Sequence, residues 1–354
     1  MMFRSATGTA YERGRSQGSA DLAAQVRAAT VGRVEQARAE GLLDAGALAY
    51  LAAQRTFHAA ADPEGLAELD GIADGFGLPE PELFTHLHLG TLRDLKGGAR
   101  LVDGCSAWAV ATGPDGPLLV KNRDYSGRHL GIQAVTEHRG PDIAAGAMLC
   151  LGSLGSPGAW SSGINAAGLA LADTQVAVAT HRTGWLRYFL MTRLLARCAT
   201  VAEALTFLRG TAHAGGGTLI LADAGGAVAA VELGVAGIEV ETRAPVRRTN
   251  HYVSARLAAD TLPAGDDSIA ANSHQRLAHL SSVLPERDWT RVAAQELMAT
   301  HTLPDGTGAP ICQHGETDAA QTISSAVYSC NLRAIQICEG NPCTGAWQTF
   351  RLSA

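Results

Sequence analysis

Val102-Asp103-Gly104-Cys105-Ser106-Ala107-Trp108-Ala109-Val110 marks the point where the texture of the chain changes. Upstream, apolar residues recur with helical spacing; downstream, alternation and turn signals of sheet take over. Ser106, Trp108 and Val110 alternate as a half-buried strand would, and Cys105 stands at its head. Gly104 has no Cβ to obstruct the approach of a thiol to its carbonyl. Scission of the Gly104–Cys105 bond would make Cys105 a chain terminus with thiol and α-amine on one residue. Their reference pKa values, about 8.5 and about 7.7–8.0, both lie near working pH. Nucleophile and base then come at fixed proximity without a separate histidine. The same residues also fit a small buried cysteine that merely opens a strand.

The chain has 354 residues, 46% hydrophobic and 18% charged, enough to bury one large core or two closely packed ones. A net charge of −6 without a long Lys/Arg run argues against nucleic acid or an anionic membrane surface as partner. Met1-Met2-Phe3-Arg4-Ser5 shows no apolar core before a small-residue cleavage site, and no stretch suits a membrane span, so the expectation is a cytoplasmic chain. Cys105, Cys150, Cys198, Cys312, Cys330, Cys338 and Cys343 are odd in number and follow no CxxC spacing. Neither a disulfide framework nor a zinc site is expected from them, and no cofactor or metal. His86 and His88 would share a face on a strand, but Pro81 to Leu95 reads as helix, which argues against a metal pair there.

In chain order, residues 8–18 look like a short lead-in, and helices are expected over 20–43, 45–60, 62–73 and 81–95. Asp62-Pro63-Glu64 is a start signal and Gly75-Phe76-Gly77 a stop. Residues 1–104 thus read as a helical N-terminal segment and 105–354 as a layered domain. Gly113-Pro114-Asp115-Gly116 has hairpin chemistry and returns Leu118 to Asp124 beside the first strand. Strands follow at 145–151, 161–164, 169–176, 218–222, 228–233, 238–242, 246–250, 322–328, 334–338 and 347–352, with helices at 185–196, 201–209, 273–282 and 289–300. Ser126 to Gly140 and Asp305 to Gly315 read as loops. Sheets with helices on their faces and mostly hairpin connections make an α+β layered sandwich.

The hairpin brings Asp124 back towards Cys105, where a carboxylate can hold an ammonium; a solvated strand-end Asp is the alternative. Thr249-Asn250-His251-Tyr252 puts an amide and an imidazole at a strand end, where Asn250 can donate to a developing oxyanion and His251 can act as a second base. An asparagine there also fits plain turn chemistry. Arg123, Tyr125 and His251 join the candidate set as substrate contacts, as does Arg333, which can meet a carboxylate or lie on the surface.

Several separated stretches, in order along nearly the whole chain, resemble one family. They are Gly8 to Gly18, Glu68-Leu-Asp-Gly-Ile-Ala-Asp-Gly-Phe-Gly77, Asp103-Gly-Cys-Ser106, Asn122-Arg-Asp-Tyr125, Ile164-Asn-Ala-Ala-Gly-Leu169, Thr249-Asn-His-Tyr252, Ile311-Cys-Gln-His314 and Gly340-Asn-Pro-Cys343. The family is that of acyl-coenzyme A:6-aminopenicillanate acyltransferase, within the N-terminal-nucleophile (Ntn) hydrolases. The resemblance implies a four-layer αββα sandwich made as a precursor that cuts itself before Cys105, leaving two fragments associated as a heterodimer. It implies Cys105 as nucleophile, Asp124 as the family's aspartate and Asn250 as its oxyanion asparagine. Ser106 departs from members that have Thr there. The activity implied is hydrolysis of a linear amide in a small N-acyl compound. An N-acyltransferase and a non-catalytic binding protein on the same fold are the alternatives.

Overall fold

The computed structural model describes residues 1–97, 104–263, 272–303, 306–316 and 319–352. Val102 and Asp103, quoted above ahead of the hairpin, and Asp305 of the second expected loop lie outside the described residues. The centre of the fold is the hairpin that the sequence announces: β2 (Gly104–Val110) and β3 (Leu118–Ser126) pair antiparallel with Gly104 opposite Asp124 and Cys105 opposite Arg123. Gly116, at φ 76°, takes the left-handed position of the turn, and its amide donates to the Gly113 carbonyl at 2.9 Å.

The two faces of this hairpin meet different neighbours, and that split builds the layers. Ala107, Ala109 and Leu119 pack with Val135, Leu151 and Ile164 of the facing sheet. Trp108, Val110, Leu118 and Val120 instead pack against Leu280, Trp289 and Leu297 of a helical layer. The outer face of that facing sheet, including Met148 and Leu171, carries the remaining helices in the largest core. The order is therefore helix, sheet, sheet, helix: the expected αββα sandwich.

The first sheet has eight strands in the order β1-β4-β5-β6-β7-β8-β9-β10. These are β1 (Met2–Thr7), β4 (Gln133–Arg139), β5 (Met148–Ser153), β6 (Ser162–Asn165), β7 (Ala170–Thr174), β8 (Thr218–Ala222), β9 (Val228–Gly234) and β10 (Gly237–Glu241). The second has six, in the order β11-β2-β3-β12-β13-β14, with β11 (Val246–Arg248), β12 (Ala320–Ser329), β13 (Ala334–Glu339) and β14 (Trp347–Arg351). The helices are α1 (Ala10–Arg15), α2 (Ala23–Ala29), α3 (Val31–Ala39), α4 (Ala45–Ala61), α5 (Pro63–Phe76), α6 (Glu80–Asp94), α7 (Arg187–Arg197), α8 (Val201–Arg209), α9 (Ser273–Val283) and α10 (Arg291–Met298). Among the described residues, no helix is long and apolar enough to cross a membrane.

Three sequence expectations change. Residues 2–7 form a strand that pairs parallel with β4, so the N-terminal segment is not wholly helical: it supplies an edge strand as well as a layer. Residues 133–139, expected as loop, form β4. Its pattern hides because polar Gln133, Glu137 and His138 are buried with the apolar residues, leaving no apolar/polar alternation. The helix expected over 20–43 breaks at Thr30, whose hydroxyl donates to the Val26 carbonyl at 2.7 Å while its backbone leaves the helical region.

Helices α1 and α5 touch backbone to backbone. A Cβ added at Gly14 would lie 2.0 Å from the Glu68 carbonyl oxygen, and one at Gly71 2.0 Å from that of Tyr11. These glycines allow a helix crossing that no larger residue fits. Gly71→Ala is expected to destabilise the chain by about 1–3 kcal/mol through overpacking, read as a lower urea midpoint at unchanged m-value.

Candidate active site

Cys105 is the second residue of β2, and by strand alternation its side chain shares the face of Ala107 and Ala109, between the sheets. It is 6% exposed and lines a small, partly open pocket. Burial pushes its thiol up to about 11; Lys121 opposes the shift, Asp173 and Asp124 add to it, and the Asp124 backbone amide, directed at the sulfur, opposes it too. The intact chain therefore holds a protonated thiol at neutral pH.

Around the Cys105 backbone lies a donor-acceptor net that fixes its position. Its amide donates to Asn250 Oδ1 at 2.9 Å, and its carbonyl accepts from Arg276 Nη1 at 2.6 Å. Arg276 also donates to Ser106 Oγ at 3.0 Å, to Asn250 Oδ1 at 2.6 Å and to Asn272 Oδ1 at 2.6 Å. A guanidinium only donates, so the amide oxygen of Asn250 must face it. The Asn250 nitrogen consequently points the other way and donates to the Gln175 carbonyl at 2.9 Å, with its second N–H still to place.

Asp124 sits across the hairpin, fully buried. Its Oδ1 accepts from Thr322 Oγ1 at 2.6 Å, whereas Oδ2 has no hydrogen-bond partner among the described residues. Burial raises the carboxyl to about 6, against the lowering pull of Arg276, the Thr322 hydroxyl and Lys121. An unpartnered carboxylate oxygen on the residue paired with Gly104 is a seat for a cation.

The pocket wall is charged and aromatic. Lys121 donates to Asp173 and, at 3.1 Å, to the Ser161 carbonyl; Arg187 Nε reaches the other Asp173 oxygen at 2.6 Å. Trp160 stacks on Tyr188 at 4.1 Å. Arg123 reaches Ser153 Oγ at 3.0 Å, and Tyr125 completes that side of the wall.

The structure thus brings Cys105, Asp124, Asn250, Arg123 and Tyr125 together. It leaves two sequence candidates outside. His251 turns to Ser273, whose Oγ lies 2.8 Å from its Nδ1, stacks on His274 at 3.7 Å, and is held at about 4 by burial; it does not line the pocket. Arg333 lies in the turn after Ser329, which pairs with Leu118 at the end of β3 away from Asp124, roughly 20 Å along the strand. Exposed there, it donates to the Ala166 carbonyl at 2.6 Å, so it is a turn residue and not a pocket residue. His86 and His88 lie on helix α6 as expected, both buried and both held neutral by desolvation.

Arg276, Lys121, Asp173, Gln175 and Arg187 were not singled out by sequence as site residues. Only Lys121 carried a signal, a cation inside the apolar run Leu118-Leu119-Val120; the rest come from distant elements.

Fold and site together define an α+β sandwich in which a cysteine, a carboxylate and a carboxamide gather at one pocket. Residues 111–344, more than half of the chain, match the model of the family described as acyl-coenzyme A:6-aminopenicillanic acid acyl-transferase, and the chain belongs to that family. The matched span takes in Asp124, Asn250 and Arg276 and begins just after Cys105. No curated protein matches the chain. Among solved structures, the chain is similar to a Caenorhabditis elegans N-acylethanolamine-hydrolyzing acid amidase ortholog (13% identity, 70% of this chain and 100% of that one, TM-score 0.44). It is similar also to a mutant of conjugated bile acid hydrolase from Clostridium perfringens (13% identity, 70% and 97%, TM-score 0.42) and to penicillin V acylase from Agrobacterium tumefaciens (14% identity, 70% and 86%, TM-score 0.39).

Because the Thr322 hydroxyl holds the Asp124 carboxyl down, Thr322→Val is expected to move its titration above about 6. Carbon-13 NMR of aspartate-labelled protein, with Asp124→Asn to assign the resonance, reads this shift; a downward move would contradict it.

Proposed function

We propose that the protein is a self-processing cysteine amidohydrolase that cleaves a linear amide bond of a small N-acyl compound through an acyl-enzyme on Cys105. The observation that carries this reading is the placement of the Cys105 thiol in a pocket while its backbone amide meets Asn250 Oδ1 and lies across the hairpin from the unpartnered Asp124 Oδ2.

Processing begins when the Cys105 sulfur attacks the Gly104 carbonyl carbon. The S–C bond forms, the C–N bond breaks, the thiol proton passes to the departing nitrogen, and water then hydrolyses the thioester to release Gly104 as a carboxylate. The new Cys105 ammonium finds an acceptor in Asn250 Oδ1 and a charge partner in Asp124, whose ionised form it favours. Fragments 1–104 and 105–354 stay together, because β1 belongs to the eight-stranded sheet and α2 to α6 pack on its outer face.

In turnover the terminal amine, acting as base, takes the thiol proton as sulfur attacks the substrate carbonyl, and returns it to the leaving amine. The second N–H of Asn250 is the donor for the oxyanion, a contact of a kind that supplies about 2.7–4 kcal/mol. Water resolves the acyl-enzyme, and an amine in its place makes the same site an acyltransferase, the activity in the family's description.

Intact mass of the purified chain is expected to show two fragments dividing after Gly104, with Cys105→Ala remaining whole. A stable, active, uncut wild type would reject the scheme, and a wild type that no thiol-reactive substrate analogue labels at Cys105 would favour a binding protein instead. Asn250→Ala is expected to lower kcat/KM by roughly 100- to 1,000-fold on whichever N-acyl compound a mass-detected screen identifies. Adding a nucleophilic amine to that assay separates the two activities: acyl product diverted into a new amide marks transfer.

A further inference from the structure

A second cluster of reactive side chains stands apart from the Cys105 pocket and takes no part in the chemistry above. Cys312 and His314 lie before β12, in the segment after α10, and Cys343 lies in the turn between β13 and β14. The Cys312 and Cys343 sulfurs are 3.8 Å apart; His314 Nε2 is 3.8 Å from the first and 3.4 Å from the second. His301 joins from the other side, its ligand atom and those of His314 and Cys343 all lying within 4.8 Å of one another. Against the expectation of no zinc site, these residues, three from the segment between α10 and β12 and one from the turn after β13, lie near one another.

We propose that Cys312, Cys343, His314 and His301 form a tetrahedral binding site for one zinc-class divalent ion. The spacings among Cys312, Cys343 and His314 are those the metal demands, and His301, within 4.8 Å of His314 and Cys343, would close on the ion from a looser approach. With Zn–S of about 2.3 Å and Zn–N of about 2.0–2.1 Å, tetrahedral angles place two sulfurs about 3.8 Å apart and sulfur and nitrogen about 3.6 Å apart. A disulfide needs about 2.05 Å between sulfurs, so the same pair is too far apart to be read as one. Two thiolates and two neutral imidazoles cancel the charge of a divalent cation, and their soft sulfur and borderline nitrogen donors suit zinc over calcium or magnesium. Binding releases the two thiol protons to solvent.

The surroundings support ligation. His301 Nδ1 lies 3.2 Å from the Ala299 carbonyl, which fixes the proton on that nitrogen and leaves Nε2 for a metal. Asn341 Nδ2 donates to the Cys312 sulfur at 3.4 Å, the kind of contact that steadies a thiolate. Cys338, the nearby third thiol, turns instead to the carbonyls of Glu339 and Asn341. His314 is exposed, so an ion can reach the site from solvent.

The ion would clamp the segment that supports the other site. Gln313, between two ligands, exchanges backbone contacts with Thr322, accepting from its amide at 2.9 Å and donating to its hydroxyl at 2.7 Å. Thr322 in turn holds Asp124. The Gln313 side chain accepts from Asn272 at 3.1 Å, and Asn272 holds Arg276. Metal binding therefore stiffens both supports of Cys105 while touching neither the thiol nor the pocket, and the proposal stands whether or not the amidase reading does.

The test is metal content of the tag-free full chain by inductively coupled plasma mass spectrometry, after exposure to buffered zinc and removal of free ion. About one zinc per chain is expected. Cobalt added to chelator-treated protein should give a thiolate-to-cobalt charge-transfer band together with the ligand-field bands of a tetrahedral ion. Cys312→Ser/Cys343→Ser should lose both signals, and Cys198→Ala should keep them. His314→Ala changes an exposed residue, so it should fold like the parent, by circular dichroism, yet bind zinc at least ~10-fold more weakly. Three results would overturn the proposal: a folded wild type that takes up neither ion; unchanged zinc affinity in the double serine variant; or peptide mapping of a Cys312–Cys343 disulfide in protein prepared under reducing conditions.

Discussion

Everything at the Cys105 site depends on one buried cation. Arg276, from α9, is fully buried and directs its N–H groups at protein acceptors, among them the Cys105 carbonyl, Ser106 Oγ, Asn250 Oδ1 and Asn272 Oδ1. Those contacts join a helix of the outer layer, the head of β2 and the segment after β11. They also orient the Asn250 amide, because an oxygen facing Arg276 commits the nitrogen to the opposite side. A charge this deeply buried is tolerated only with such pairing, and Asp124 nearby supplies the compensating field.

A comparable arrangement spans the two sheets. Lys121 of β3 and Arg187 at the start of α7 converge on Asp173 of β7, so the sandwich is pinned by an ionic contact at the point where the pocket opens. Small apolar residues of the interface between sheets, Ala107, Ala109, Ala170 and Ala172, allow close approach. The polar gap in that interface is the pocket. Desolvation raises both the thiol and the Asp124 carboxyl there, so at neutral pH the thiol is protonated while the carboxyl, at about 6, is still mostly ionised. For Asp124 the sign is that stability is lost as pH rises from about 4 to about 6, a cost that a cation placed against Oδ2 would offset.

Supporting structure is arranged around this centre. Thr322 and Asn272 buttress Asp124 and Arg276, and both lead to Gln313. On the far side of the eight-stranded sheet, the glycine-mediated crossing of α1 and α5 packs the N-terminal segment against itself, and α2 to α6 share a core with α7, α8 and that sheet. The chain before Gly104 and the chain after it thus share one core.

By itself the sequence determined the layered α+β architecture, most helices and strands, and the Cys105–Asp124 hairpin, because these follow from local periodicity, turn chemistry and antiparallel register. The hairpin is the clearest case: Gly113 to Gly116 close it, and period two does the rest. Asn250 was legible only through the family resemblance and its place at a strand end. Tertiary structure alone decided β1 and β4, since a parallel edge pair and a strand buried with its polar residues carry no alternation to read. It decided against His251 and Arg333, whose directions depend on packing partners and on which end of a sheet a turn occupies. It also decided Arg276, the Lys121–Asp173–Arg187 contact and the gathering of Cys312, His314, Cys343 and His301. Each joins residues far apart in the chain, and distance in sequence leaves no local mark for proximity in space.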